Sequence, residues 1–406
     1  MNKRSFLALL ACSLVLSSTA RASDETKELR RILTLANGQT IRVVSKCVDG
    51  HWSYRNKKGW QELQPGMVTR ALDESAALAQ YNNTAKLADK KNLGARVELA
   101  HSALGLGLVQ EALAELDGVL CADPDNAGAI ATLQRVDLMK VPAIEGAEDE
   151  VAAREALIRF ASPLSAAPRE VAIFELGKAK DKQALQTALT KDLGSEVVVR
   201  RSFAAHALRR LCPGVAGKSL LLHTVYDPSL DVRLACAQAV KASGNEAWIV
   251  PLVRTVEDSS SSTARANAAE ALGVIGNSAA VAPLVARLAS PPQATSTGRI
   301  PHSHIFVGTQ RSYVQDFDVQ VAQFQAVADP VVNVVLEGMV TDAAVDGVQD
   351  VQFQVENATI RTSLSKLTGQ RPGETNKAWV AWWKANGERW QRGERGEPST
   401  GAKREG

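Results

Sequence analysis

The stretches "DVRLACAQAV", residues 231–240, and "TARANAAEALGVIGNSAAVAPLVARL", residues 263–288, are two copies of one pattern. Arg233 and Arg265 open them 32 residues apart, and the same step runs back to Arg201 and Arg169. Columns downstream keep the step: Ala205, Ala237 and Ala269; Ala207, Ala239 and Ala271; Leu208, Val240 and Leu272. Leu220, Leu252 and Leu284 mark a second helix in each unit. Small residues let the first helices approach one another closely, and the leucines give each second helix an apolar face. A fixed period of this kind means stacked helical hairpins.

Both stretches resemble HEAT repeats, in which a basic residue begins the first helix, alanines let it pack closely, and a short Gly or Asn turn leads to the second. The resemblance covers residues 168 to 290. It implies a mainly α chain built as a HEAT-type α-solenoid.

The array breaks at "SPPQATSTGRIP", a linker of Pro, Ser, Thr and Gly. Helix-like text resumes at "ENATIRTSLSKLTGQ", where Arg361 lies 96 residues past Arg265, three further steps, with its neighbouring columns one residue out of register. Residues 291–352 therefore read as an insertion before the terminal repeat. Within it "HIFVG", "SYVQDFDVQVAQF", "VVNVVL" and "GMVTDAAV" are rich in β-branched and aromatic residues. Turn signals at Asp329-Pro330 and Glu337-Gly338 divide them into three or four antiparallel strands.

The insertion is acidic. Arg299 and Arg311 stand against Asp316, Asp318, Asp329, Glu337, Asp342, Asp346 and Asp350. Three readings stay open: acids that grip a basic partner, calcium held through Asp316 and Asp318, or charges that guard exposed edge strands against aggregation. His302 and His304 share one strand face. With no further His nearby and a proline-bearing linker beside them, they read as an exposed strand entry rather than a metal site.

Upstream, residues 33–71 are short extended pieces with hairpin signals at Asn37-Gly38 and Asp49-Gly50. A small β-barrel or meander follows, with Trp52, Tyr54 and Trp60 either as its core or as a groove for peptide or cell wall. Residues from Leu72 onward are helical. "LGARVELAHSALGLGLVQEALAELDGVLCADPDNAGAIATL" resembles one tetratricopeptide repeat: Ala100, Gly107, Ala112 and Pro124 fall where that motif wants small residues and a helix-ending proline, while its aromatic positions are filled by other residues. "GLG" at Gly105–Gly107 lacks the third glycine and the preceding strand of a phosphate loop, so it reads as a helix–helix turn.

The N-terminus, "MNKRSFLALLACSLVLSSTARAS", has a basic start, an apolar run and small residues before Ser23, the features of a secretory signal peptide cut after Ala22. The competing reading takes Cys12 as an acylated lipoprotein cysteine. Without residues 1–22 the count of 47 basic residues falls to 44, equal to the 44 acids. Neutral charge and export argue against a nucleic-acid partner, and no later segment is long enough to span a membrane. Cys47, Cys121, Cys212 and Cys236 are scattered without zinc spacing; they read as buried thiols, or as one bridge between neighbouring elements.

The expected organisation is a signal peptide (1–22), a small β-domain (23–71), tetratricopeptide-like helices (72–140), HEAT repeats (141–290), a β-rich insertion (291–352), a terminal repeat with capping helix (353–392) and a disordered tail (393–406). In that helix Trp379, Trp382 and Trp383 share one face. The order is similar to that of secreted bacterial HEAT-repeat proteins, which implies the architecture and no activity. No GxSxG elbow, HExxH or Walker loop occurs, nor the His-Glu dipeptide of iron-dependent HEAT hydroxylases. No cofactor or metal is expected.

The function expected is a non-catalytic extracytoplasmic scaffold binding a protein or peptide. Candidate contacts are His223, Arg254 and Arg287 on the second helices, and Phe306, Tyr313, Phe317 and Phe324 on the insertion. A cell-envelope or wall-binding module and an unrecognised enzyme are the alternatives.

Overall fold

The structure, a computed structural model, describes residues 27–135, 138–214, 217–290, 302–322, 325–346 and 348–393, with the backbone alone between 302 and 352. The segment expected to be a signal peptide, Cys12, the linker at 291–301, Phe324 and the tail from 394 lie outside the described residues. The chain divides into two compact units, Met1–Ala179 and Lys180–Gly406. It is mostly helical, with fifteen α-helices among the described residues.

The first unit opens with five strands, β1 (Leu29–Leu35), β2 (Thr40–Val48), β3 (His51–Asn56), β4 (Gly59–Glu62) and β5 (Val68–Asp73). They form one antiparallel sheet in the order β4-β3-β2-β1-β5. Strands β1 to β4 run as a meander and β5 returns to pair with β1, leaving β4 and β5 at the ends of the order. Asp49 and Gly50 take φ of 50° and 81°, the left-handed pair that a two-residue hairpin turn needs to match strand twist.

Six helices follow: α1 (Glu74–Leu87), α2 (Leu93–Gly105), α3 (Val109–Ala122), α4 (Ala127–Arg135), α5 (Glu150–Ala161) and α6 (Ala166–Leu176). Asp73, Asn92 and Asp149 cap α1, α2 and α5 by accepting from backbone amides of the first turn. Helices α2 and α3 form a hairpin in which Ala100 and Ala112 are fully buried. Gly107 makes its turn at φ 74°, and a Cβ there would stand 2.6 Å from Ile32 Cγ2 on β1. That glycine serves the seat of the sheet on the helices. Helix α6, read from sequence as the start of the 32-residue array, belongs to the first unit: Ala166 and Ala167 join its core, and the Ala167 amide donates to Asp117 at 2.9 Å.

The second unit contains α7 (Lys182–Asp192), α8 (Val198–Leu211), α9 (Lys218–Tyr226), α10 (Leu230–Ala242), α11 (Ile249–Asp258), α12 (Ser262–Ile275) and α13 (Val281–Ala289). First helices α8, α10 and α12 pack in succession, each with a second helix, α9, α11 and α13, following it. Every alanine and leucine column residue named above from position 205 onward is at most 3% exposed. The turns repeat as well. Gly244 and Gly276 take φ of 64° and 82°, ending their helices in the left-handed conformation. Asn245 and Asn277 then accept from the amides of Ala247 and Ala279 at 3.0 and 2.8 Å.

Beyond α13 the insertion forms, among the described residues, one hairpin, β6 (His302–Ala322) and β7 (Gln325–Asp346). Three or four strands were expected. The turn signals misled, because Asp329-Pro330 and Glu337-Gly338 lie inside β7, opposite Asp318, Phe317, Arg311 and Gln310. Helix α14 (Val348–Thr368) then packs along α12, and α15 (Asn376–Gln391) covers α13. Ile360, Leu364 and Trp379 enter the core, and Trp379 meets Trp382 edge to face at 5.7 Å. A Cβ at Gly273 of α12 would stand 2.9 Å from Ser363 Cβ and 3.0 Å from its Cα, so this glycine sets the α12–α14 approach. Of the four described cysteines, Cys47 and Cys236 are buried, Cys212 is half-buried and Cys121 is exposed.

Candidate partner-binding surface

The basic column of the repeats turns inward. Arg201, Arg233 and Arg265 each donate through Nη1 to the carbonyl six residues back, on Ser195, Asp227 and Ser259, at 2.9, 3.0 and 2.6 Å. The carbonyls belong to the loops that enter the first helices, so the 32-residue recurrence of arginine is the recurrence of one loop tie. Arg361, in step with the column although its neighbours are one residue out, donates instead to Asn376 at the start of α15.

Two buried carboxylates complete these ties. Asp227 receives Arg201 Nε and Nη2 at 2.8 and 2.9 Å, the Ser229 amide, and His223 Nδ1 at 2.9 Å. Burial alone would raise its pKa; the bonds from Arg201, Ser229 and His223 outweigh that and hold it below the usual aspartate value. Glu356 of α14 receives Arg265 Nε and Nη2, Arg287 Nε and the Ser262 hydroxyl. It too is pushed up by burial and, more strongly, down by those three partners.

These geometries sort the sequence candidates. Arg287 is bound to Glu356 and His223 to Asp227, and both side chains are mostly buried. Arg254 is exposed on α11. Phe306, Tyr313 and Phe317 stand in β6 opposite Asp342, Val334 and Pro330; Phe324 is outside the described residues. In the first unit, Arg31 lies 5.7 Å from the Trp52 ring and Lys46 lies 4.5 Å from that of Trp60, so the sheet's own cations stand over these two aromatics.

An open surface of which sequence reasoning named only Arg254 runs along the second helices. Lys218, Leu222 and Tyr226 form an i, i+4, i+8 stripe on α9, and Val250, Arg254 and Asp258 occupy the equivalent places on α11. All six are exposed, Leu222, Tyr226 and Val250 at 47%, 63% and 51%. The opposite faces bury Leu220, Thr224, Ile249, Leu252 and Val256. "LLLH" at 220–223 hid this division, since a run of leucines has no face; the column 222, 254, 286 would have shown it by its Arg and its small Ala286.

Residues 217–297 match the HEAT repeats family. The match takes in α9 to α13, the helices that carry the stripe. No curated protein matches the chain.

Proposed function

We propose that this HEAT-repeat protein is a non-catalytic extracytoplasmic scaffold that binds another protein, or a peptide of one, along its second helices, with the β-hairpin as a second contact. The observation that carries the reading is the group of apolar side chains Leu222, Tyr226 and Val250, left exposed on the same outer stripe of two successive second helices. Tyr226 and Arg254 are of the residue types that most often anchor an interface, Leu222 and Val250 add apolar surface beside them, and stacked repeats present such groups in line. Lys218 and Arg254 stand on the same stripe, which suits a ligand with apolar anchors and a carboxylate. The extracytoplasmic part rests on the sequence of residues 1–22.

The test is capture from a cell-envelope extract by the native protein and by the L222D/Y226S variant, with circular dichroism and Tm matched between the two. A partner retained by the native protein and lost with the variant supports the reading. Equal capture by both sets it aside.

A further inference from the structure

The geometry points to a site for one divalent transition cation, Zn(II) in class, at the open end of the β-hairpin, where pairing register places His302, His304 and Asp346 together on one face. His302 pairs directly with Asp346, and His304 pairs with Ala344, the next position on that face. The register is unbroken from His302↔Asp346 through Arg311↔Glu337, and the irregularities begin only beyond Arg311. Directly paired residues share a face, as do residues two apart on a strand, so the assignment of all three to one face follows from the backbone.

The spacing suits a shared ion. Residues two apart on a strand are separated by about 6.6 to 6.8 Å, directly paired ones by about 4.5 to 5.5 Å, and diagonal ones by about 7 to 8 Å. The three backbone positions therefore lie within about 8 Å of one another. The donor chemistry, two nitrogens and one oxygen, selects zinc-like ions over calcium or magnesium, which take oxygen. Two of the chain's six histidines stand here. Asp346 lies 42 residues beyond His304, so sequence reading saw an isolated His pair; only the hairpin's register supplies the third group.

The experiment is titration of the purified, metal-free protein with Co(II), read by its visible absorption, and with Zn(II) in competition with a chromophoric chelator. The native protein is compared with H302A/H304A, D346N and, as a control near the far end of the ribbon, D318N; circular dichroism checks each fold. The expected result is one equivalent of metal, lost in H302A/H304A, weakened about tenfold or more in D346N, since even outer partners of ligands cost that much, and unchanged in D318N. Binding should weaken as pH falls below about 6.5, where imidazole takes up a proton. Native protein that binds nothing at about 100 µM metal, H302A/H304A that binds as the native does, or D318N that loses as much as D346N overturns the site.

Discussion

Arg265 and Glu356, 91 residues apart in sequence, meet through two hydrogen bonds of 2.9 and 2.7 Å around a carboxylate whose side chain is fully buried. The whole β-hairpin lies in the sequence between them. The contact therefore joins α14 to the repeat that precedes the insertion, and Arg287 adds a third bond from α13. Burying a carboxylate costs free energy that only its partners offset, and stranding two guanidinium groups costs more than the pair contributes. Glu356→Ala should lower stability by about 3 to 5 kcal/mol, and Arg287→Ala by less, because Arg265 still faces Glu356. Urea unfolding followed by tryptophan emission measures both; Glu356→Ala at native stability would remove this account of how the terminal repeat is held.

Stability should also fall in acid for a stated reason. Glu356 and Asp227 are held below their ordinary values of 4.5 and 3.8. A carboxyl with a depressed folded pKa contributes stability that is present above its unfolded value and lost as pH falls through the folded one. Unfolding midpoints should therefore hold steady from about pH 7 to about pH 5 and decline below about pH 4.5. Glu356→Gln should flatten part of that decline, and an acid limb as steep in the variant as in the native protein would speak against it.

Arg201 grips Asp227 through two nitrogens and the Ser195 carbonyl through a third. A lysine carries one charge point and cannot span that fork. Arg201→Lys should thus cost nearly as much as Arg201→Ala, about 3 kcal/mol for breaking a buried pair. A thermal melt in which the lysine variant matches the native protein would show that charge alone suffices.

Two glycines give a packing test. Ala at Gly107 meets both a left-handed φ and Ile32, and should cost about 1 to 3 kcal/mol. Gly273→Ala gains about 1 kcal/mol of helix propensity, yet its Cβ meets the backbone of Ser363, which cannot rotate aside, so the net change should still be destabilising. Tm of each variant decides, and a Gly273→Ala protein more stable than native would mean that α12 and α14 separate freely.

The repeats were legible because each column residue does one job at one period: Ala205, Ala237 and Ala269 are buried at helix crossings, and arginine ties one kind of loop. The hairpin was legible as β-structure but not in its strand count, because Asp329-Pro330 has the composition of a turn and only long-range pairing with Asp318 and Phe317 overrides it. Helix α6 carries Arg169 in step with the array yet packs in the first unit, where Asp117 fixes the Ala167 amide, a contact no period announces. Of the surface candidates, Arg254 is open. His223 and Arg287 are held by Asp227 and Glu356, acids without a recurring column, so no period announces those pairs.

The most direct measurement of the scaffold reading is photo-crosslinking in the cell, with a benzophenone amino acid placed singly at Leu222, Tyr226 and Val250 and, for comparison, at Leu87, which is 88% exposed on α1. The account predicts one adduct of fixed mass from the three positions on the second helices and none of that mass from Leu87. No adduct from the three, or the same adducts from Leu87, would contradict it.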